Sequence, residues 1–220
     1  MPKTFAVNLL VVADVHGCSK TLKTLVRERW NPHDEFLIFV GDLVNKGPKS
    51  AKVIEYVRGL QTEYPYSVFV VRGNHEQLLV DAFDEAAPKL GFYDKFKKDL
   101  LKRGIPLKKT IEWMRRLPLK WENRYVLVTH AGVALHARDP FVAGNLRSVL
   151  HNRSALKNVG KLQLFGHVIQ ESGIPRFYPS ANAWGLDTGC WRGGGLHAVR
   201  LTRTGEILEF LREPTHSSDL

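Results

Sequence analysis

The stretch Leu9-Leu10-Val11-Val12-Ala13-Asp14-Val15-His16-Gly17 decides the fold of this chain. Five apolar residues in a row predict a strand that is buried on both faces, as strands of parallel sheets are. The run ends at Asp14 and His16, which lie two residues apart, so both side chains point to one side of an extended backbone. Gly17 then permits a tight turn. The sequence therefore predicts a buried strand that delivers two polar side chains to the edge of a sheet.

Four more short apolar runs end at polar clusters in the same way. They are 36–40 before Gly41-Asp42, 68–71 before Arg72-Gly73-Asn74-His75, 125–128 before Thr129-His130, and 162–165 before Gly166-His167. Helix-like segments at 19–30, with Ser19 as its N-cap, and at 50–60 separate the first three runs. Strands that alternate with helices predict a layered α/β domain.

The rest of the chain fits a single domain that spans residues 1–220. Two strand-like pieces, 195–201 and 207–211, are joined by the hairpin turn Thr202-Arg203-Thr204-Gly205. Residues 81–120 form the longest stretch without a strand, and we expect two or three helices there as a small cap or insert. A chain of 220 residues is long enough to bury a substantial core.

The composition excludes several classes of protein. Hydrophobic residues make up 44% and charged residues 25%, and no apolar run approaches the roughly 20 residues that span a bilayer. Residues 1–4 do not begin a secretory signal peptide. Because Cys18 and Cys190 are the only cysteines, we expect the cytoplasm or another reducing compartment, not secretion.

The chain carries a strong positive charge. Lysine and arginine number 32 against 22 aspartate and glutamate residues, which gives a net charge of +10. Such an excess favours polyanionic partners, including nucleotides, RNA and polyphosphate. It is concentrated at 93–124, where eleven basic residues face four acidic ones. This segment either guides a phosphate chain or is a solvated helical face.

The polar residues at the strand ends predict a metal centre. Ligands of open α/β sheets bind beyond the carboxyl ends of the strands, so six potential metal ligands should converge there. They are Asp14, His16, Asp42, Asn74, His130 and His167. Six ligands suffice for two divalent cations about 3.5–4 Å apart, provided that one carboxylate bridges them. Oxygen and imidazole donors suit manganese, the first candidate, and also iron, zinc or magnesium. A water between two such cations becomes a nucleophile near neutral pH.

Together these motifs resemble the calcineurin-like metallophosphoesterases, and more narrowly the phosphoprotein-phosphatase superfamily. The resemblance rests on Asp-Val-His-Gly at 14–17, Gly-Asp-Leu-Val-Asn-Lys-Gly-Pro at 41–48, Arg-Gly-Asn-His-Glu at 72–76, His-Ala-Gly at 130–132 and Gly-His at 166–167. It implies a four-layer α/β/β/α sandwich with two mixed sheets and a dimetal centre at its rim. It also implies that Asp42 bridges the metals and that His75 protonates the leaving oxygen as general acid.

Two residues depart from the protein serine/threonine phosphatases. Those enzymes carry Asp and Arg where this chain has Asn45 and Lys46, and the Arg grips phosphate. A lysine supplies a point charge in place of a bidentate fork. The motif at 41–48, with Lys46, instead resembles the eukaryotic ApaH-like phosphatases. These are relatives of the bacterial symmetrical diadenosine tetraphosphatase, which keeps an arginine at this position. Arg153 lies where related phosphatases place a second phosphate-binding arginine.

This kinship implies a hydrolase of phosphoanhydrides, with a dinucleoside polyphosphate such as diadenosine tetraphosphate, an RNA cap or polyphosphate as substrate. Two alternatives stay open. One is a serine/threonine protein phosphatase, against which Asn45 and Lys46 argue. The other is a basic RNA-binding or assembly factor on an inactive phosphatase scaffold, which the complete set of expected ligands argues against.

Overall fold

The computed structural model describes residues 7–85 and 91–220. Residues 1–6, on which the predicted lack of a signal peptide rests, lie outside the described part, as do residues 86–90 of the predicted insert. The strands, in chain order, are β1 (Asn8–Val12), β2 (Glu35–Phe39), β3 (Val68–Val70), β4 (Lys120–Glu122), β5 (Val126–Thr129), β6 (Leu162–Phe165), β7 (Arg176–Tyr178), β8 (Ala183–Gly185), β9 (Leu196–Leu201) and β10 (Ile207–Glu213). The helices are α1 (Ser19–Arg29), α2 (Ser50–Glu63), α3 (Asn74–Phe83), α4 (Gly91–Lys102) and α5 (Leu107–Arg116).

The strands form two mixed sheets, as the family resemblance predicted, and each has five strands in the described part of the chain. The first has the order β10-β9-β1-β2-β3, with β1, β2 and β3 parallel and β9 antiparallel to β1. The second has the order β4-β5-β6-β8-β7, with β5, β6 and β8 parallel. Because both sheets have a parallel centre, five of the predicted polar strand ends point to one rim.

The apolar runs explain how the sheets pack. Every residue of β1 from Leu9 to Val12 is fully buried, as the continuous apolar run predicted. In β5 the side chains alternate: Val126 and Val128 join the main core between the sheets, whereas Leu127 packs in a smaller cluster with Val133 and Val149. The period-2 alternation thus places β5 between the main core and the segment that follows it.

The helices pack against the first sheet and against each other. Helix α1 contacts β9 and β10, α2 contacts β3 and α4, and α5 contacts α3 and α4. Tyr93, Phe96 and Leu100 of α4 and Ile111 and Met114 of α5 belong to the main core. The described part of the predicted insert is therefore helical and shares the core of the sheets.

The start of α1 differs from the prediction in one detail. Ser19 is the first helical residue, and Cys18 occupies the cap position without a side-chain cap bond. The Ser19 side chain is buried, so packing against the core outweighs its preference for the N-cap. The C-terminal residues instead secure this end of the helix, because Asp219 accepts hydrogen bonds from the backbone N–H and the hydroxyl of Thr21 (2.8 and 2.9 Å).

Candidate dimetal centre

Loops at the carboxyl ends of five parallel strands bring the predicted ligands together at one rim. The side chains follow β1 (Asp14 and His16), β2 (Asp42), β3 (Asn74 and His75), β5 (His130) and β6 (His167). Asp14, His16, Asp42 and His130 are buried, and Asn74, His75 and His167 are partly exposed. The group therefore forms the floor of a site that solvent reaches from one side.

Asp42 lies at the middle of the group. Its Oδ2 is 3.4 Å from Nε2 of His16 and 3.9 Å from Nε2 of His75, and its Oδ1 is 3.4 Å from Nε2 of His130. His16, Asp42 and His75 form one cluster of possible metal ligands, and Asp42, His130 and His167 form a second. The two clusters share only the Asp42 carboxylate, each of whose oxygens faces a different imidazole.

Asn74 connects the two histidines of the second cluster. Its Oδ1 lies 2.8 Å from Nε2 of His130 and 3.0 Å from Nδ1 of His167. The side-chain oxygen thus occupies the position of a third donor beside the imidazoles. An amide oxygen at this place adds a ligand without adding negative charge.

Backbone carbonyls fix which ring nitrogen faces the centre. Nδ1 of His16 lies 2.9 Å from the carbonyl oxygen of Val44, and Nδ1 of His130 lies 3.1 Å from that of Val40. A ring that donates its Nδ1–H to a carbonyl presents the lone pair of Nε2. Both imidazoles are thereby oriented as metal ligands.

Two buried polar atoms at the rim have no partner in the described structure. Oδ2 of Asp14 accepts the backbone N–H of His167 (2.9 Å), but its Oδ1 is buried without a hydrogen bond. Nε2 of His167 is buried without one as well. Buried polar atoms are usually paired, because an unpaired one costs about 1–3 kcal/mol. These atoms, with the carboxylate and imidazole donors beside them, fit the binding of divalent cations.

The electrostatics of the acids also fit a cationic occupant. Burial, and after it the charges of Asp187 and Asp42, raise the pKa of Asp14 well above its usual range. Burial likewise raises the pKa of Asp187. Burial acts in the same direction on Asp42, but His130, His16 and His75 together outweigh it and lower its pKa to about 2. Divalent cations would compensate this concentration of carboxylates.

The imidazoles of the second cluster favour the neutral form, which is the form that binds metals. Burial lowers the pKa of His130, and burial with the neighbouring His130 lowers that of His167 to about 3.

The loops hold their side chains at the cost of unfavourable backbone angles. His16, Asp42, Asn45, Lys46 and His167 all have positive φ values (46°, 49°, 68°, 62° and 64°). Left-handed conformations are costly for residues other than glycine, and they cluster at functional sites where the surrounding structure enforces them. Five of the seven such residues in the described chain lie in these loops, which points to a function at this rim.

Two glycines allow the backbone to approach the acids closely. A Cβ at Gly166 would lie 1.7 Å from Oδ1 of Asp14, and one at Gly73 would lie 2.2 Å from Oδ1 of Asp42. No other residue fits at these positions without displacing a carboxylate. The glycines beside the predicted ligands are therefore part of the geometry of the site.

His75 lies at the open side of the site. Its Nδ1 is 3.0 Å from Nδ2 of Asn45, and its backbone N–H donates to Oδ1 of Asp42 (2.9 Å). Burial lowers the pKa of His75 to about 4, and the positive charges of His16 and Lys46 act in the same direction. The side-chain amide nitrogen of Asn45 thus faces Nδ1 of His75, the ring nitrogen that points away from Asp42.

The two predicted phosphate-binding residues lie at the rim and not among the ligands. Lys46 is exposed, and its Nζ lies over the ring of Trp191, 5.3 Å from the centroid. Arg153 is exposed and lies close enough to His167 to lower the pKa of that imidazole, after burial and His130. Neither is held by an ion pair in the described part of the chain, so both cations are available to a ligand.

Glu76 is an important residue that the sequence analysis left without a role. Its side chain is fully buried and accepts the backbone N–H groups of Asp42, Leu43 and Gly73, each at 2.9 Å. Burial and the charge of Asp42 raise its pKa to about 8, although these three hydrogen bonds act in the opposite direction. One side chain thus joins the loops after β2 and β3. A glutamate directly after Gly-Asn-His was the available signal.

Asp187 and His151 were also missed. Asp187 is buried beside Asp14 and accepts the backbone N–H of Gly189 (2.8 Å). His151 is half-buried near the second cluster, where its charge acts on His130 and His167. Asp187 was visible in the motif Leu-Asp-Thr-Gly, whereas a lone histidine in a loop gives no signal.

Comparisons with known proteins agree with this architecture. Two mixed sheets with aspartate, histidine and asparagine side chains gathered at their rim define a metallophosphoesterase. The model of the calcineurin-like phosphoesterase family matches residues 7–183, and the chain belongs to this family. Membership implies divalent metals at the clustered histidines and aspartates.

Curated relatives fall into two groups. A symmetrical bis(5'-nucleosyl)-tetraphosphatase of Pectobacterium atrosepticum is 29% identical over 92% of this chain and 73% of that protein. The corresponding protein of Buchnera aphidicola is 31% identical, but the match covers 58% of this chain and only 45% of that protein. Serine/threonine-protein phosphatase 1 of Salmonella typhimurium is 30% identical over 87% of this chain and 90% of that protein.

Solved structures show the same fold. A candidate diadenosine tetraphosphatase superposes with a TM-score of 0.69 at 23% identity, covering 99% of this chain and 97% of that one. A protein serine/threonine phosphatase from Saccharomyces cerevisiae superposes with a TM-score of 0.64 at 20% identity, covering 98% and 82%. Within the described residues, no helix is both long and apolar enough to cross a membrane.

Proposed function

We propose that this chain is a dimetal phosphohydrolase that acts on phosphoanhydrides, with dinucleoside polyphosphates such as diadenosine tetraphosphate as the first candidate substrates. The observation that carries the proposal is the position of Asp42, whose two carboxylate oxygens face two separate sets of imidazoles. A carboxylate shared in this way is what a pair of neighbouring cations requires.

We infer that one cation would be held by Asp14, His16 and Asp42. The second would be held by Asp42 with Asn74, His130 and His167. Manganese is our first choice, and iron, zinc and magnesium are alternatives that the same donors accept. When bound, two such cations supply a water of lowered pKa and neutralise the charge of a phosphate group.

Other residues would handle the proton and the substrate. His75, at the open side of the site, is placed to give a proton to the leaving oxygen as general acid. Asn45 orients this imidazole through the 3.0 Å contact at Nδ1. Lys46 and Arg153 would bind phosphate oxygens at the rim, since neither cation is engaged by a carboxylate of the described chain.

Lys46 in place of a guanidinium is compatible with the anhydride substrate. An arginine fork grips a single phosphate through two parallel hydrogen bonds, whereas an ammonium group is a point charge that several phosphates can share. The names of the Pectobacterium and Buchnera relatives agree with such a substrate. RNA caps and polyphosphate contain the same bond and belong to the same proposal.

A serine/threonine protein phosphatase is the second candidate. The Salmonella relative of that name matches nearly the whole of both chains, which favours it. Asn45 and Lys46 distinguish this chain from the pattern of such enzymes. An inactive scaffold that binds RNA is the third hypothesis, and the full set of expected ligands and His75 opposes it.

Further parts of the proposal concern organisation and location. We propose that residues 1–220 are one domain with the helical insert at about 81–120, since buried residues of α4 and α5 share the core of both sheets. We propose a reducing compartment such as the cytoplasm, since Cys18 and Cys190 are both free thiols.

A substrate panel and a metal analysis test the proposal. Purified protein supplied with manganese should hydrolyse diadenosine tetraphosphate, capped RNA or polyphosphate faster than a phosphopeptide, and should hold about two metal ions per chain. Asp42→Asn should lower the metal content and abolish turnover together. Asp139→Asn, in an exposed loop, changes the same charge and should alter neither. If the purified protein holds no metal and shows no turnover, the proposed enzymatic function is refuted. A preference for the phosphopeptide would favour the serine/threonine protein phosphatase.

A further inference from the structure

A cleft runs from the proposed active site along α4. Its inner part has a volume of about 280 Å³ and is lined by Asn45, Lys46 and Pro48 on one side and by Phe92, Lys95 and Asp99 on the other. Its outer part, of about 410 Å³, is lined by Lys95, Lys98 and Lys102. Pro48, Gly91, Lys95 and Asp99 border both parts, so the cleft is continuous.

The sequence of α4 explains why this face is basic. Tyr93, Phe96 and Leu100 are buried in the core, which fixes the rotation of the helix. Lys95, Lys98 and Lys102 follow each other at spacings of three and four residues, so they share one face of the helix. That face borders the cleft, whereas Lys97 lies on another face and lines neither part.

The charges of the cleft are not neutralised internally. Four lysines line it against two aspartates. Asp99 is engaged in the fold, because its Oδ2 accepts the backbone N–H of Ala51 (3.0 Å). In the described part of the chain, none of the four lysines forms an ion pair. A cleft with free cations along its length is suited to an extended polyanion.

The position of the cleft indicates which part of a substrate it receives. It begins at Asn45, whose side chain contacts His75. A general acid lies on the side of the leaving group, because it protonates the oxygen that departs. The cleft therefore opens on the leaving-group side of the phosphate under attack.

We propose that this cleft binds the phosphate groups beyond the scissile bond, with Lys95 and Lys98 of α4 as residues that determine specificity for phosphate chains. The inference rests on the proposed function and names the substrate feature that the enzyme selects: a chain of two or more phosphates on the leaving-group side. It also assigns this role to α4 and not to the basic residues of α5.

Inhibition constants distinguish the binding of a phosphate chain from the binding of a single phosphate. With manganese supplied, tripolyphosphate and orthophosphate compete with p-nitrophenyl phosphate, and their Ki values are compared among three proteins. The double variant Lys95→Ala/Lys98→Ala removes two charges of the cleft. The control Lys97→Ala/Lys108→Ala removes two exposed charges outside it, so both variants have the same net charge.

The cleft variant should raise the ratio of the tripolyphosphate Ki to the orthophosphate Ki by about tenfold, since each exposed charge pair contributes a factor of up to roughly five. The control should change this ratio by less than about twofold, and 1 M salt should reduce the difference, because screening then acts within about 3 Å. Melting temperatures establish that both variants fold.

A wrong assignment of the cleft and a wrong proposed function give different results in this experiment. An unchanged ratio in the cleft variant, or an equal change in the control, overturns the inference while turnover by the wild type upholds the proposed function. Absence of turnover by the wild type, with diadenosine tetraphosphate and with p-nitrophenyl phosphate, overturns both.

Discussion

Replacing Glu76 tests whether a side chain that touches no substrate positions the metal ligands. Its carboxylate joins two loops: Oε2 accepts the N–H groups of Asp42 and Gly73, and Oε1 accepts that of Leu43. Asp42 also has a positive φ of 49°, a conformation that needs external support. We therefore expect a change at Glu76 to act on metal binding through the backbone of Asp42.

The expected magnitudes follow from the three hydrogen bonds. Glu76→Ala leaves three buried N–H groups without an acceptor, at about 1–3 kcal/mol each, so we expect a loss of about 4 kcal/mol in the free energy of unfolding. Glu76→Gln can keep the hydrogen bonds from the N–H groups of Asp42 and Gly73 at its remaining oxygen. Its amide N–H₂ then faces the N–H of Leu43, which loses its acceptor. We expect it to cost about 2 kcal/mol.

Urea denaturation gives the stabilities, and activity as a function of manganese concentration gives the metal affinity. Glu76→Gln should require about tenfold more metal for half-maximal activity, since about 1.4 kcal/mol corresponds to tenfold in affinity. At saturating metal its kcat should stay within about threefold of the wild type, because Glu76 contacts no substrate. Glu206→Gln, at an exposed turn, is the control. Unchanged metal dependence in Glu76→Gln, or a loss that saturating metal leaves unrepaired, would refute the assigned role.

Four further predictions concern residues around the centre and in the core. His75→Asn should retain both metals and lose about a hundredfold in kcat, with a smaller loss for p-nitrophenyl phosphate, whose leaving group hardly needs a proton; equal losses for both kinds of substrate contradict a general acid. Lys46→Ala should raise KM for phosphate substrates about fivefold, and Trp191→Leu should raise it about twofold, because the ring only positions the ammonium group. A larger effect of Trp191→Leu than of Lys46→Ala would contradict these roles. Asp219→Asn should reduce stability in urea by about 2 kcal/mol without changing kcat, because its carboxylate accepts two bonds from Thr21; an unchanged midpoint argues against this anchor. Burial lowers the pKa of His197 to about 4, below its usual 6.5, so its contribution to the free energy of unfolding is complete above pH 6.5 and is lost as the pH falls toward 4. His197→Asn should therefore reduce the dependence of stability on pH across this window by about 1 kcal/mol per pH unit. If stability plotted against pH is parallel for the wild type and the variant, His197 is not the cause.

The fold could be predicted because the strands that carry the site, β1, β2, β3, β5 and β6, are short apolar runs that end at polar residues. Such a run predicts a buried strand without knowledge of the strands that lie beside it in the sheet, and the order of the runs fixes the order of the parallel strands. The ends of α1 and the mixed character of the second sheet could not be obtained in this way. Ser19 has the preference of a cap, but packing places it inside the helix.

The candidate ligands could be predicted for the same reason, since each lies within four residues of the end of a strand. Glu76 could not be assigned a role, because its function depends on backbone groups that are distant in sequence. Asp187 accepts the N–H of Gly189 two residues away, but only the fold places its carboxylate beside Asp14. Glu76 accepts N–H groups more than thirty residues away. The basic segment 93–124 shows a further limit: its charges are visible in the sequence, but only the rotation of α4 shows which of them border the site. Arg115, for example, pairs with Asp84.

Substrate choice in this family cannot be inferred from the metal ligands. The proposed ligands and general acid would serve a phosphoprotein and a phosphate chain alike, because both reactions attack a single phosphorus atom. The features that differ lie around them: a neutral Asn45 behind His75, a point charge at Lys46, and a lysine-lined cleft on the leaving-group side. With a phosphorylated protein as substrate, polypeptide would lie in that cleft. With a phosphoanhydride, further phosphates would lie there. The unpaired lysines of α4 complement the second, and for this reason we propose a phosphate chain as the substrate in preference to a phosphoprotein.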